Sequence, residues 1–164
     1  MRVLGFDPGT ATTGYGVVEG KGNRLEHIAH GAISTPANTH FALRLKSIFA
    51  EACQLIETYA PDAVAIEKLY FAQNVTTGIA VAQARGVLAL AAAQAGLPIG
   101  EYSPLEVKNA VVGYGKAEKR QVQEMVKILL NLEDRPRPDD AADALAIAIC
   151  QIHAGVLPSL TDPL

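Results

Sequence analysis

Four carboxylates stand out by position. Asp7 closes the apolar run Val3-Leu4-Gly5-Phe6, and Glu67 closes a second short run, Ala63-Val64-Ala65-Ile66. Asp140 and Asp143 open a stretch that is otherwise almost wholly apolar, and a separation of three puts both on one face of a helix. A carboxylate at the edge of an apolar strand, or inside an apolar helix, loses hydration and needs a cation, a metal or several N–H groups in exchange. Two neighbouring carboxylates repel each other unless a cation lies between them. Such a set suits hard, oxygen-seeking ions such as Mg²⁺ or Mn²⁺. A pair of these ions roughly 3.5–4 Å apart stabilises the attacking and leaving oxygens of a phosphoryl displacement. No Ser-His or Cys-His pairing competes with that chemistry.

Each acid has an ordinary explanation as well. Asp7-Pro8-Gly9 is a good β-turn sequence, with Asp capping the turn, Pro setting φ and Gly accepting positive φ. Asp139 is placed to be the N-cap of the last helix, and acids in a first turn are favoured by the helix dipole. That explanation fits Asp143 less well, because Asp143 lies a turn inside the helix.

The elements that must bring these residues together follow from periodicity. Val3 to Phe6 reads as a strand buried on both faces, Thr13 to Glu19 as a second strand, and Leu25 to Ser34 as a third after a turn at Gly20 to Asn23. Short connections make these an antiparallel meander. Thr39 to Tyr59 is an amphipathic helix ended at Pro61-Asp62, and Ala63 to Ile66 is a fourth strand. A strand reached through a helix is normally parallel to the strand it joins. With the fourth strand beside the first, Asp7 and Glu67 emerge at one carboxyl edge, where open α/β sheets place ligands. Asn74 to Gln94 is a helix rich in small residues, which packs on the sheet, on a second copy of itself, or on both. Leu97 to Ser103 is the last strand, followed by helices over Pro104 to Val112, Ala117 to Leu132 and Asp139 to Ala154. In the second of these, Val122, Val126, Leu129 and Leu130 point inward. Lys119, Gln123 and Lys127 form a polar stripe that, with Lys116 and Arg120, offers a local phosphate-binding surface. The expected fold class is therefore α/β: a five-stranded mixed sheet flanked by helices, over a single domain from 1 to 156 with a tail from 157 to 164.

The chain has 164 residues, 49% hydrophobic and 19% charged, enough for one sizeable core. A net charge of −3 argues against a protein that coats nucleic acid by bulk attraction, although bound metal would cancel part of it. No membrane span and no signal peptide are expected, so a cytoplasmic protein is. Cys53 and Cys150 read as buried free thiols, and His27, His30, His40 and His153 form no metal-ligand spacing.

Several motifs occur together, in order, over nearly the whole chain. They are Gly5-Phe6-Asp7-Pro8-Gly9, Ile66-Glu67, Gln83-Ala84-Arg85-Gly86, Val111-Val112-Gly113, Ala117-Glu118-Lys119 and Asp140 to Ala146. In this the sequence resembles the RuvC Holliday junction resolvases of bacteria. The resemblance implies a ribonuclease-H-like fold and a homodimer that cuts four-way DNA junctions symmetrically. The nicks would be ligatable, with 5′-phosphate and 3′-hydroxyl ends. It places the family's metal-binding acids on Asp7, Glu67, Asp140 and Asp143, with two Mg²⁺ per subunit and Mn²⁺ as substitute. The family's catalytic lysines fall on Lys108 and Lys119. The aromatic that stacks on a base near the crossover falls on Tyr70 or the adjacent Phe71. The helix from Asn74 to Gln94 becomes the subunit contact, and RuvA and RuvB become partners.

Three other readings compete. Gly5 to Thr10 also resembles the first phosphate loop of actin-like ATPases, but those need two such domains. A non-catalytic junction-binding module would keep the acids as structure, and metal-dependent cleavage separates it from a nuclease. A related nuclease acting on RNA would share the acids but not the full-length match.

Overall fold

The computed structural model describes residues 1–69, 75–157 and 159–161. In chain order its elements are β1 (Arg2–Asp7), β2 (Thr12–Lys21), β3 (Arg24–Ser34), α1 (Phe41–Tyr59), β4 (Ala63–Glu67) and α2 (Val75–Gln94). These are followed by β5 (Ile99–Tyr102), α3 (Pro104–Val112), α4 (Lys119–Leu129) and α5 (Asp139–Ala154). The strands form one sheet in the order β3-β2-β1-β4-β5. The first three are an antiparallel meander, β4 runs parallel to β1, and β5 runs parallel to β4. This is the mixed sheet expected from the sequence.

The period-two alternation of β1 and β4 decides what faces what. Leu4, Phe6, Val64 and Ile66 join Ile48, Ala52, Leu88 and Ala92 in a core against α1 and α2. Val3 and Ala65 lie on the other face, in a core with α3, α4 and α5. Asp7 and Glu67 continue that second register, so both carboxylates leave the sheet on the α5 side.

α5 is the buried element of that layer. From Ala141 to Gln151 only Asp143 escapes full burial. The helix comes this close because the strands beneath it carry glycine. A Cβ on Gly5 would run into the Ala144 carbonyl and one on Gly14 into the Asp140 carbonyl, while one on Gly16 would sit 2.7 Å from the Leu145 backbone nitrogen. Gly5 pairs with Gly16, and Asp7 pairs with Gly14. The glycine strip therefore seats the first turns of α5 beside the end of β1.

Several boundaries move from the expected ones for local reasons. α1 starts at Phe41 because His40 caps it, its Nδ1 accepting from the Ala42 N–H at 3.3 Å. α4 starts at Lys119 because Glu118 and Gln121 close a capping box before it. Asp139 is not the N-cap of α5: Pro138 is, its carbonyl accepting from the N–H groups of Ala141 and Ala142. β5 begins only at Ile99, since Leu97 donates back to Ala92 to close α2 and Pro98 has no N–H to give. Cys150 is buried and free, whereas Cys53 is only half-buried. By length and composition α2 does meet the requirements of a membrane-crossing helix, contrary to expectation, although Thr76, Thr77, Gln83 and Arg85 interrupt it.

Candidate active site

Parallel pairing sets Phe6 opposite Ile66, so Asp7 and Glu67 follow side by side at the carboxyl edge. α5, seated on Gly14, delivers Asp140 and Asp143 to the same place. The four acids feel one another. Asp7 is pushed from 3.8 up to about 8, first by burial and then by the charges of Glu67, Asp143 and Asp140, with Lys119 opposing. Glu67 is raised by burial and by Asp143. Asp143 is raised by burial, against the hydrogen bond it receives from Lys119.

Lys119 is the counter-charge. Its Nζ lies 2.9 Å from Asp143 Oδ2, and that contact is what raises the ammonium's own pKa. The two side chains are 56% and 31% exposed. The pair therefore contributes little to stability, about 0.2–1 kcal/mol, and matters as charge balance. As the first residue of α4, Lys119 also sits against the helix dipole. A position so poor for the helix is explained by the acids it faces.

Lys108 reaches the same cleft from α3. That helix is held by a Ser103–Glu106 capping box with Pro104 in its first turn. Glu67, Lys108, Lys119, Val122 and Asp143 line a cleft of about 240 Å³. Lys116 and Arg120 are exposed on either side of Lys119. The polar stripe on α4 does not hold: Gln123 is buried, at 8% exposure, beneath the segment Arg135 to Arg137, and Lys127 turns to Glu124. Tyr70, Phe71 and Asn74 lie outside the described residues.

The donor chemistry fits a divalent cation. The groups are all carboxylates, with Asp7, Glu67 and Asp143 desolvated by burial and Lys119 partly balancing the charge. Among the described residues, no three ligating side chains stand close enough to hold an ion as they are. Loading would thus have to draw the carboxylates inward, Asp143 in competition with Lys119.

The model of the family described as crossover junction endodeoxyribonuclease RuvC matches residues 3–151. The chain belongs to the RuvC family. It is 58% identical to the RuvC of Heliobacterium modesticaldum over 154 residues, 94% of this chain and 95% of that one. Thermus thermophilus RuvC in complex with a Holliday junction substrate superposes with a TM-score of 0.90 at 35% identity, over 94% of each chain. The yeast mitochondrial Holliday junction resolvase, at 16% identity and a TM-score of 0.65 over 92% and 78% of the two chains, shares the fold. As a family member the chain is a nuclease acting on DNA, and its fold is ribonuclease-H-like.

Proposed function

We propose that this chain, with 1–156 as its nuclease domain, resolves four-way DNA junctions by hydrolysing one phosphodiester bond in each of two symmetric strands. The observation that carries the reading is the convergence of Asp7, Glu67, Asp140 and Asp143 on one sheet edge beside Lys119. These acids would hold two Mg²⁺ ions, with Mn²⁺ as a substitute, and bound metal there supplies an activated water and stabilises the departing 3′ oxygen. Lys119 and Lys108 place positive charge where the scissile phosphate gains negative charge. Lys116 and Arg120 hold the flanking backbone. Tyr70 and Phe71 are the aromatics that would stack on a base near the crossover.

The dimer reading is supported by α2. Val75, Ile79 and Leu90 are exposed, and with Ala82 and Gly86 they recur at steps of three and four along one face. A second copy packed there would present two active sites related by a two-fold axis, which is what paired cuts need. RuvA and RuvB, as partners in the cytoplasm, would deliver the junction.

The test is cleavage of a synthetic mobile four-way junction in Mg²⁺ and Mn²⁺, with linear duplex, single-stranded and RNA–DNA hybrid controls. Symmetric ligatable nicks on the junction alone are expected. Asp7→Asn should lose roughly 10³-fold in single-turnover rate while still binding the junction in EDTA; normal cleavage by that variant would remove Asp7 from the site.

A further inference from the structure

On the β3 side of the same edge, three elements are tied together by one hydroxyl. Thr35, just past β3 and only 7% exposed, donates from its Oγ1 to the Thr10 carbonyl and accepts from Arg44 Nε at 2.8 Å. Its N–H also reaches the Ala11 carbonyl at 3.1 Å. Thr10 and Ala11 belong to the turn that follows Asp7, and the turn is closed from inside by Thr13 Oγ1 donating to the Gly9 carbonyl at 2.6 Å. A hydroxyl has one proton and accepting lone pairs, so Thr35 is committed at both ends.

Arg44 is thereby held through Nε alone. Among the described residues, no hydrogen bond or ion pair engages its terminal amino groups. The side chain is partly exposed, and the first turn of α1 holds no acid to neutralise it. A guanidinium fixed at Nε, with its terminal fork free, is preorganised for a phosphate. It also stands at the edge from which Asp7 emerges, because β3 runs in the direction of β1.

We propose that Arg44 grips a backbone phosphate of the junction and that Thr35 passes this grip to the turn behind Asp7, making the two a positioning pair for the reaction. This rests on the junction-resolving reading above. The link acts through hydrogen bonds, from phosphate to guanidinium to hydroxyl to the Thr10 carbonyl, and the turn it steadies aims the Asp7 carboxylate.

The test combines junction binding in EDTA across a salt series with single-turnover cleavage at saturating junction. Arg44→Gln should weaken binding about 5- to 10-fold and reduce the slope of log K against log salt by about 0.9, the loss of one phosphate contact. Arg44→Lys should keep the slope, since the charge remains, yet cleave about 10-fold more slowly, because lysine has no Nε–H fixed for Thr35. Thr35→Val should show the same slow cleavage with unchanged slope, and Thr35→Ser should restore it. A fold defect would not imitate this pattern, because it would not spare the slope in one arginine variant and change it in the other. An unchanged slope in Arg44→Gln, or wild-type cleavage by both Thr35→Val and Arg44→Lys, would overturn the proposal. Failure of the wild-type protein to bind the junction at all would overturn the junction-resolving reading, and this proposal with it.

Discussion

Deprotonating Asp7 is harder than deprotonating an ordinary aspartate, because the charge must form in a buried position already facing three other carboxylates. Its folded-state pKa of about 8 stands above the ordinary 3.8, so between those values the folded chain keeps a proton that the unfolded chain has released. The stabilisation is complete below about pH 3.8 and is lost as pH rises through about 8. In EDTA, the melting temperature of the wild-type chain should therefore fall between pH 5 and pH 8 by more than that of Asp7→Asn, measured by scanning calorimetry. Added Mg²⁺ should reverse the fall, and most strongly at pH 8. Lys119 tests the same balance from the opposite sign. Since it occupies Asp143, Lys119→Met should bind Mn²⁺ more tightly by titration calorimetry while cleaving about 10²-fold more slowly. Equal Mn²⁺ affinity in the two proteins would mean that the ammonium does not compete for the site.

At the scale of elements, the contact that matters most to the site is α5 on the glycine strip of β1 and β2. Helix and strand backbones approach there without intervening side chains, and the Asp140 carbonyl lies where a Gly14 Cβ would be. Gly14→Ala must lift the N-terminal turn of α5, which carries Asp140 and Asp143, away from Asp7. A loss of about 1–3 kcal/mol in stability is expected, together with loss of cleavage even at temperatures where the variant is folded. Denaturant titration and the junction assay measure the two effects separately. Gly86→Ala is the contrasting case, since a Cβ there meets nothing within 4 Å and φ is not positive. Alanine in that helix interior should preserve or slightly raise stability within one chain.

At the scale of the whole molecule, the exposed apolar stripe on α2 is the surface on which the proposed dimer rests, because exposed apolar patches mark contact sites. Leu90, at its C-terminal end, is 50% exposed. On the proposed dimer, Leu90→Glu should give a monomer by light scattering and uncouple the two cuts on a supercoiled junction substrate. A dimer that survives this substitution would place the subunit contact elsewhere. The formal charge of −3 should not prevent DNA binding. Four of the 17 acids converge at the proposed metal site. There Lys108 lines the cleft while Lys116 and Arg120 are exposed beside Lys119, close enough to act within a Debye length, about 8–10 Å.

Much of this protein was legible in one dimension, because hydrophobic alternation and run ends are local properties. The two apolar runs ending in Asp7 and Glu67 announced strands and their edge, and Asp143, a turn inside an apolar helix, announced a burial that ordinary capping does not explain. Sequence position alone placed all four carboxylates and most element cores. Tertiary structure decided what depends on pairing between distant segments. Which face Asp7 and Glu67 take follows from sheet register. Gln123 turns inward because the segment before α5 lies over it, breaking a stripe that helical spacing alone made continuous. The approach of α5 to Gly14, the pairing of Lys119 with Asp143, and the link from Arg44 through Thr35 to Thr10 each join residues far apart in the chain. No period of 2 or 3.6 encodes such contacts, because they arise only when the layers pack.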